Sequence, residues 1–189
     1  IAHCTRRRAN LTHSFNRLHQ GPTDPVPINY AHRRQQFLDA LEGQAAVIPA
    51  AALMQHHADV EFPFRQDSDF WYLTGFDEPG AVALFLPHRP DSSFVLFVPA
   101  KDPTAEVWHG FRWGTEGAVA EFGADVAHPL EQLEALLPDY LTGAEGICFR
   151  VGRHPKLEKL VLRCWADQLD RAARTGEAVR QLDRKSTRL

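Results

Sequence analysis

Residues 57–78 read His-Ala-Asp-Val-Glu-Phe-Pro-Phe-Arg-Gln-Asp-Ser-Asp-Phe-Trp-Tyr-Leu-Thr-Gly-Phe-Asp-Glu. Six aromatic side chains, Arg65 and a spread of acids crowd into these 22 residues. The pattern is too irregular for one amphipathic helix and too charged for a buried strand. A segment of this kind must be held in one shape by specific contacts. Within it, Ser68 is placed to cap a short helix from Asp69 to Leu73, ended by Gly75. Phe70, Trp71 and Phe76 are expected to bury large surfaces.

Around this segment the chain alternates between helical and strand patterns. Tyr30 to Leu41 reads as a helix, with Phe37, Leu38 and Leu41 on one side, Arg33, Arg34 and Asp39 largely on the other, and Gly43 as a stop. Ala45 to Ala52 is apolar and broken by Pro49, so its first half reads as a buried strand. Two strong strands follow, Ala81–Leu86 and Phe94–Val98, joined by a turn built from Pro87, Pro90, Asp91 and Ser92. Glu106–Trp108 is a third apolar segment. Helices are expected from Thr115 to Phe122 and from Leu130 to Leu137, the second ending near Pro138. Ile147–Val151 reads as a strand. Pro155 opens the longest helix, to about Arg174, with a stripe of Leu157, Leu160, Val161, Cys164, Trp165 and Leu169. The class is α/β, a mixed β-sheet flanked by helices on both faces, because the hairpin at 81–98 rules out an all-parallel sheet.

The bulk numbers narrow the function classes. At 189 residues the chain holds one ordinary domain with a real core. A net charge of −3 argues for neither nucleic acid nor an anionic membrane as partner. No apolar run approaches the ~20 residues that span a bilayer. Cys4, Cys148 and Cys164 are odd in number and far apart, so they give no disulfide framework and no zinc spacing. A reduced, cytoplasmic setting is the simplest reading. Residues 1–29 carry Arg6, Arg7, Arg8 and Arg17 against the single acid Asp24. They read as a disordered or extraneous leader, with an organelle transit peptide as the alternative. Residues 183–189 read as an unrelated polar tail.

Chemistry-bearing motifs are sparse. The chain has no GxGxxG, GxxxxGK[ST], HExxH, GxSxG or CxxC. His57, Asp59 and Glu61 would share one face of an extended segment and could in principle take a divalent metal, but a solvated strand face beside Pro63 is the preferred reading. His56 and His57 are adjacent and would point to opposite sides. His109 follows Trp108 and is as readily explained by exposure as by function. The aromatic-basic run from Trp108 to Trp113 could stack on bases, yet such runs more often serve a core or an interface, and the net charge opposes a nucleic-acid role.

The run Phe64-Arg65-Gln66-Asp67-Ser68-Asp69-Phe70-Trp71-Tyr72-Leu73-Thr74-Gly75-Phe76, with Glu78-Pro79 after it, resembles a long and specific signature, R-x-x-S-D-F-x-Y-L-T-G-F. That signature is the mark of the aminopeptidase P (Xaa-Pro aminopeptidase) amino-terminal domain. Downstream, Thr104-Ala105-Glu106-Val107-Trp108-His109-Gly110 is similar to the family's T-A-E-x-W-x-G segment. The likeness covers roughly Tyr30 to Arg180 and implies a creatinase-type amino-terminal fold over residues 30–182. It implies that the chemistry sits in a separate pita-bread domain, absent from this sequence. There a divalent metal pair, usually Mn2+, activates water against an Xaa-Pro bond. This chain is therefore expected to bind no metal itself and to be an inactive fragment of a longer product.

The resemblance further implies a homodimer or homotetramer, in which this domain meets the catalytic domains of its own and neighbouring subunits. The implied substrate is a peptide with proline at its second position. Trp108 matches a family tryptophan that reaches a neighbour's active site. Arg174 is the nearest match to an arginine that approaches the cleft, and Asp59 matches an aspartate near it. Arg65, Ser68, Asp69, Phe70, Tyr72, Gly75 and Phe76 are expected to be structural, since none aligns with a catalytic role. Two readings compete with this one. Creatinase-type domains also serve as non-catalytic protein-interaction modules, and an Xaa-Pro dipeptidase (prolidase) belongs to the same superfamily.

Overall fold

The computed structural model describes residues 28–57, 60–101 and 111–175. Helix α1 spans Tyr30–Ala40, capped by Asn29, whose side-chain oxygen accepts from the His32 N–H at 3.0 Å. The cap satisfies one of the N–H groups that every helix start leaves without an intrahelical partner. A turn through Glu42 and Gly43, both at positive φ, leads into strand β1, Ala45–Pro49. Strands β2 (Gln55–His57) and β3 (Val60–Glu61) form a small antiparallel pair of their own. Then come α2 (Ser68–Thr74), β4 (Val82–Phe85), a 3-10 turn at Pro90–Ser92 and β5 (Phe94–Val98). Helix α3 (Gly114–Ala120) and strand β6 (Val126–Pro129) follow. A second 3-10 turn, Leu130–Gln132, opens α4 (Leu133–Leu141), and β7 (Ile147–Phe149) leads to α5 (Pro155–Thr175).

The main sheet has the order β6-β5-β4-β1-β7. Strand β4 is antiparallel to both β1 and β5, while β6 is parallel to β5 and β7 to β1. Four strands therefore point one way and β4 alone points back. The carboxyl ends of β1, β5, β6 and β7 lie along a single edge of the sheet.

Side chains of a strand alternate between faces, and here both faces are apolar. Ala46, Ala83, Phe85, Phe94, Leu96 and Val98 pack under α1, α2 and α3, against Leu38, Phe70, Leu73 and Ala118. Val47, Leu84, Val95 and Phe97 pack under α4 and α5, against Leu137, Leu141, Val161, Cys164 and Trp165. Helices cover both faces, as the sequence pattern predicts.

Several details depart from the sequence reading. Arg34 is buried, not solvent-facing. Its guanidinium lies 4.5 Å from the Phe94 ring centroid and donates to the Leu73 carbonyl at 3.4 Å and the Gly123 carbonyl at 3.5 Å. It thus serves carbonyls near the ends of α2 and α3, where a cation suits the helix dipole. Burial lowers its pKa, and Asp125 works against that shift. Pro138 does not end a helix but sits inside α4. Buried Leu137, Tyr140 and Leu141 flank it and hold the helix together across the missing N–H. Strand β6, for which the sequence gives no strand pattern, is an edge strand ending in a proline, which an edge tolerates. Leu169 ends the apolar stripe of α5 at 36% exposure, outside the core. Glu106–Trp108 lies outside the described residues.

Candidate functional site

The signature segment is wired by its polar residues. Gln66 is its hub. The side-chain oxygen of Gln66 accepts from the Ala51 N–H at 2.7 Å and the Asp67 N–H at 2.9 Å. Its amide donates to the Phe76 carbonyl at 3.1 Å and the Glu78 carbonyl at 2.9 Å. One side chain therefore joins the exit from β1 to both ends of the α2 region. Thr74 adds a second clasp, donating to the Phe70 carbonyl at 2.8 Å and accepting from the Phe76 N–H at 3.0 Å. Phe70 and Phe76 are fully buried and meet edge to face, with ring centroids 6.5 Å apart.

The helix cap is Asp67, not Ser68. Asp67 Oδ1 accepts from the N–H groups of Asp69 and Phe70 at 3.0 and 3.2 Å. Ser68 is the exposed first residue of α2. Asp69 is exposed and pairs with Arg150, which also reaches Asp67. Gly75 closes the helix at φ +68°, and a Cβ there would meet Tyr30 ring carbons at 2.8 Å. No other residue fits that place. Glu78 is buried and accepts from the Trp113 N–H at 2.7 Å, with the Arg112 guanidinium 3.8 Å away. It fastens the signature to the chain that enters α3.

Trp71 and Tyr72 lie on the outside of α2, at 39% and 51% exposure. The sequence reading placed Trp71 in the core. In a helix this short, Phe70, Leu73 and Thr74 occupy the inner face at i, i+3 and i+4, which turns positions 71 and 72 outward. Arg65 is exposed as well.

The segment belongs to the carboxyl edge of the sheet. The chain carrying residues 50–67 leaves β1 there, and the chain carrying residues 99–113 leaves β5 there. Beside them opens a cleft of about 900 Å3, floored by Pro49, Ala81, Leu133 and Leu157, with Arg153 and Lys156 among its rim residues. Ligands of open α/β sheets bind outside the carboxyl ends of strands, so this edge is the candidate site.

Of the residues singled out from sequence, Asp59 and Trp108 lie outside the described residues. Of the main-sheet strands, β1 is the last before Asp59 and β5 the last before Trp108, and both end at the same edge. Arg174 is exposed in the last turn of α5. The cleft follows α5 only as far as Arg163, and the 11-residue step from there to Arg174 adds about 16 Å of helix rise. Arg174 and the cleft are thus not brought together within this chain. Sequence reasoning missed Gln66, Asp67, Arg150 and Glu78. The signal for Gln66 and Asp67 was present, as polar residues placed among aromatics that must be buried.

Among the described residues no group of three or more His, Cys, Asp or Glu could hold a metal ion. Burial raises the pKa of the Cys148 and Cys164 thiols, which disfavours thiolate chemistry at either. Among the described residues no helix is long and apolar enough to cross a membrane. The described edge offers surface and shape, with no acid–base or nucleophilic constellation on it.

The sequence profile described as the aminopeptidase P, N-terminal domain matches residues 30–148. The Xaa-Pro aminopeptidase of Escherichia coli is 35% identical over 134 residues, covering 70% of this chain and 30% of the enzyme. Human Xaa-Pro aminopeptidase 3 is 35% identical over 124 residues, covering 59% of this chain and 24% of that protein. The chain therefore spans less than a third of the length of these curated relatives. Among solved structures, Pseudomonas aeruginosa aminopeptidase PepP matches with a TM-score of 0.72 at 34% identity, over 82% of this chain and 36% of PepP.

Proposed function

The chain belongs to the aminopeptidase P amino-terminal-domain family, and from that premise we propose that it is the accessory domain of a metal-dependent Xaa-Pro aminopeptidase. The reading assigns hydrolysis of the bond before proline, and the metal that activates water for it, to polypeptide outside this chain. Mn2+ is the metal we propose. Residues 30–182 form the domain, and 1–29 and 183–189 lie outside it. The partners are the catalytic domains of the same and neighbouring subunits in a homodimer or homotetramer. We place the protein in the cytoplasm.

The observation that carries the reading is the strand order. Because β4 alone is reversed, the chains leading to Asp59 and to Trp108 start from one edge, next to the signature segment. A loop cluster on a rigid sheet is the usual way for a scaffold to present binding residues. In this role Trp108 packs on the substrate and Asp59 lies nearby. Arg174, at the far end of α5, acts on a neighbouring subunit. Arg65, Ser68, Asp69, Phe70, Tyr72, Gly75 and Phe76 hold the edge in shape.

The test is an assay of the parent polypeptide with added Mn2+ on a matched pair of peptides, one with proline and one with alanine at the second position. Release of the first residue from the proline peptide alone is expected. Equal cleavage of both, or cleavage of dipeptides only, contradicts the assignment, the second outcome pointing to an Xaa-Pro dipeptidase.

A further inference from the structure

The outward side of α2 presents an aromatic surface to solvent, on residues that also shape the sheet edge. Trp71 and Tyr72 present an indole and a phenol side by side to solvent. With Arg33, Phe64, Arg65 and Asp77 they line an open groove of about 530 Å3. Its walls are already fixed. The Arg33 guanidinium sits 4.1 Å from the Tyr72 ring centroid and donates to the Tyr72 carbonyl at 3.3 Å. The Tyr30 ring meets Trp71 edge to face at 6.3 Å, and Gly75 lets that tyrosine approach the helix end closely. A preformed aromatic groove lowers the ordering cost of binding.

The charge of the groove is uneven. Two guanidiniums, Arg33 and Arg65, face one carboxylate, Asp77, a balance of 2 − 1 = +1. Among the described residues neither arginine forms an ion pair with an acid. A guanidinium offers a planar fork of donors that matches a carboxylate two bonds at a time.

We propose that this groove binds an extended, proline-rich acidic peptide segment. Flat, rigid aromatic faces suit the ridged surface of a polyproline II helix, which is already extended and loses little entropy on docking. Acidic residues between the prolines would pair with Arg33 and Arg65. The site is distinct from the cleft at the sheet edge, and its occupation does not depend on the proposed peptidase role.

The test uses the 189-residue chain and a synthetic peptide, acetyl-Glu-Pro-Pro-Glu-Pro-Pro-Glu-amide, followed by calorimetry and tryptophan fluorescence. Two control peptides carry Lys for Glu, or Ala for Pro. Saturable binding of the acidic proline peptide is expected, with a Kd on the order of 10–500 μM. Tyr72→Ala should weaken it at least about tenfold, a loss of ~1.4 kcal/mol. Arg65→Gln, a change at an exposed side chain, should weaken it severalfold and reduce its salt sensitivity, with thermal melts confirming the fold. It serves as the reporter if Tyr72→Ala does not fold. Absence of saturable binding, or equal binding of either control peptide, overturns the proposal. So does concentration-dependent self-association that Tyr72→Ala abolishes, since the groove would then be taken by a second copy of the chain.

Discussion

Arg150 Nη1 lies 3.1 Å from Asp67 Oδ2, while the other oxygen of the same carboxylate caps helix α2. One side chain therefore starts the signature helix and ties it to the chain just beyond β7, 83 residues away. The two functions separate by mutation. Asp67→Asn keeps an N-cap acceptor and loses the ion pair, which is partly exposed and worth little. Asp67→Ala loses both. Denaturant unfolding should show a loss of about 1–2 kcal/mol for Asp67→Ala and under ~1 kcal/mol for Asp67→Asn. Equal losses would mean that Arg150, not the cap, carries the effect.

Gln66 makes four hydrogen bonds from one side chain. Gln66→Ala leaves the Ala51 and Asp67 N–H groups and two carbonyls to find water in a half-buried site. The expected cost is at least ~2 kcal/mol, since each polar group left without a partner costs about 1–3 kcal/mol when buried. Amide hydrogen exchange at residues 66–78 should quicken before that of β4 and β5. A uniform change across the sheet would contradict the local role.

Phe70 and Trp71 are neighbours with opposite environments. Phe70→Ala empties a fully buried site and should cost about 3–5 kcal/mol. Trp71→Ala removes a ring already 39% exposed and should cost less than half as much. Matched thermal melts of the two variants check this. Equal destabilisation would place Trp71 in the core after all.

Acid should destabilise the α4 side of the sheet. Burial lowers the pKa of both His88 and His128. His88 contacts the Tyr140 carbonyl at 3.1 Å, with Arg89 as a further opposing charge, and His128 meets the Tyr140 hydroxyl at 2.7 Å. The folded state favours the neutral rings, so the unfolded chain takes up protons first. Stability is then full above about pH 6.5 and falls as pH drops from there toward the lowered folded values. Urea midpoints between pH 8 and 5 should decline, and His88→Gln with His128→Gln should flatten that slope. An unchanged slope in the double variant would assign the decline to other groups.

Much of this fold is legible in the residues because their patterns are redundant. The α5 stripe repeats over several turns, β4 and β5 are unbroken apolar runs, and Gly43 and Gly75 mark stops that only a left-handed residue fits. Strand β6 escaped because a half-buried edge strand of four residues ending in proline carries neither alternation nor a long apolar run. Arg34 escaped because helix position alone predicts its side, whereas the Phe94 ring and two carbonyls decide it. At the site, the 70, 73, 74 spacing could have separated Phe70 from Trp71. The reach of Arg150 to Asp67 could not be read from sequence, since it depends on where β7 ends in space.

The central claim is that the carboxyl edge of this sheet serves cleavage of Xaa-Pro peptides in the parent protein. The most direct measurement is kcat/KM for an Xaa-Pro peptide extended beyond proline, with Trp108→Ala introduced into that parent and metal content, oligomeric state and melting temperature matched. A rigid indole contributes apolar contact at small entropic cost. The account predicts a fall of at least about tenfold, equal to ~1.4 kcal/mol of lost transition-state binding, greatest for the extended substrates. Unchanged kinetics in a correctly assembled variant would contradict it.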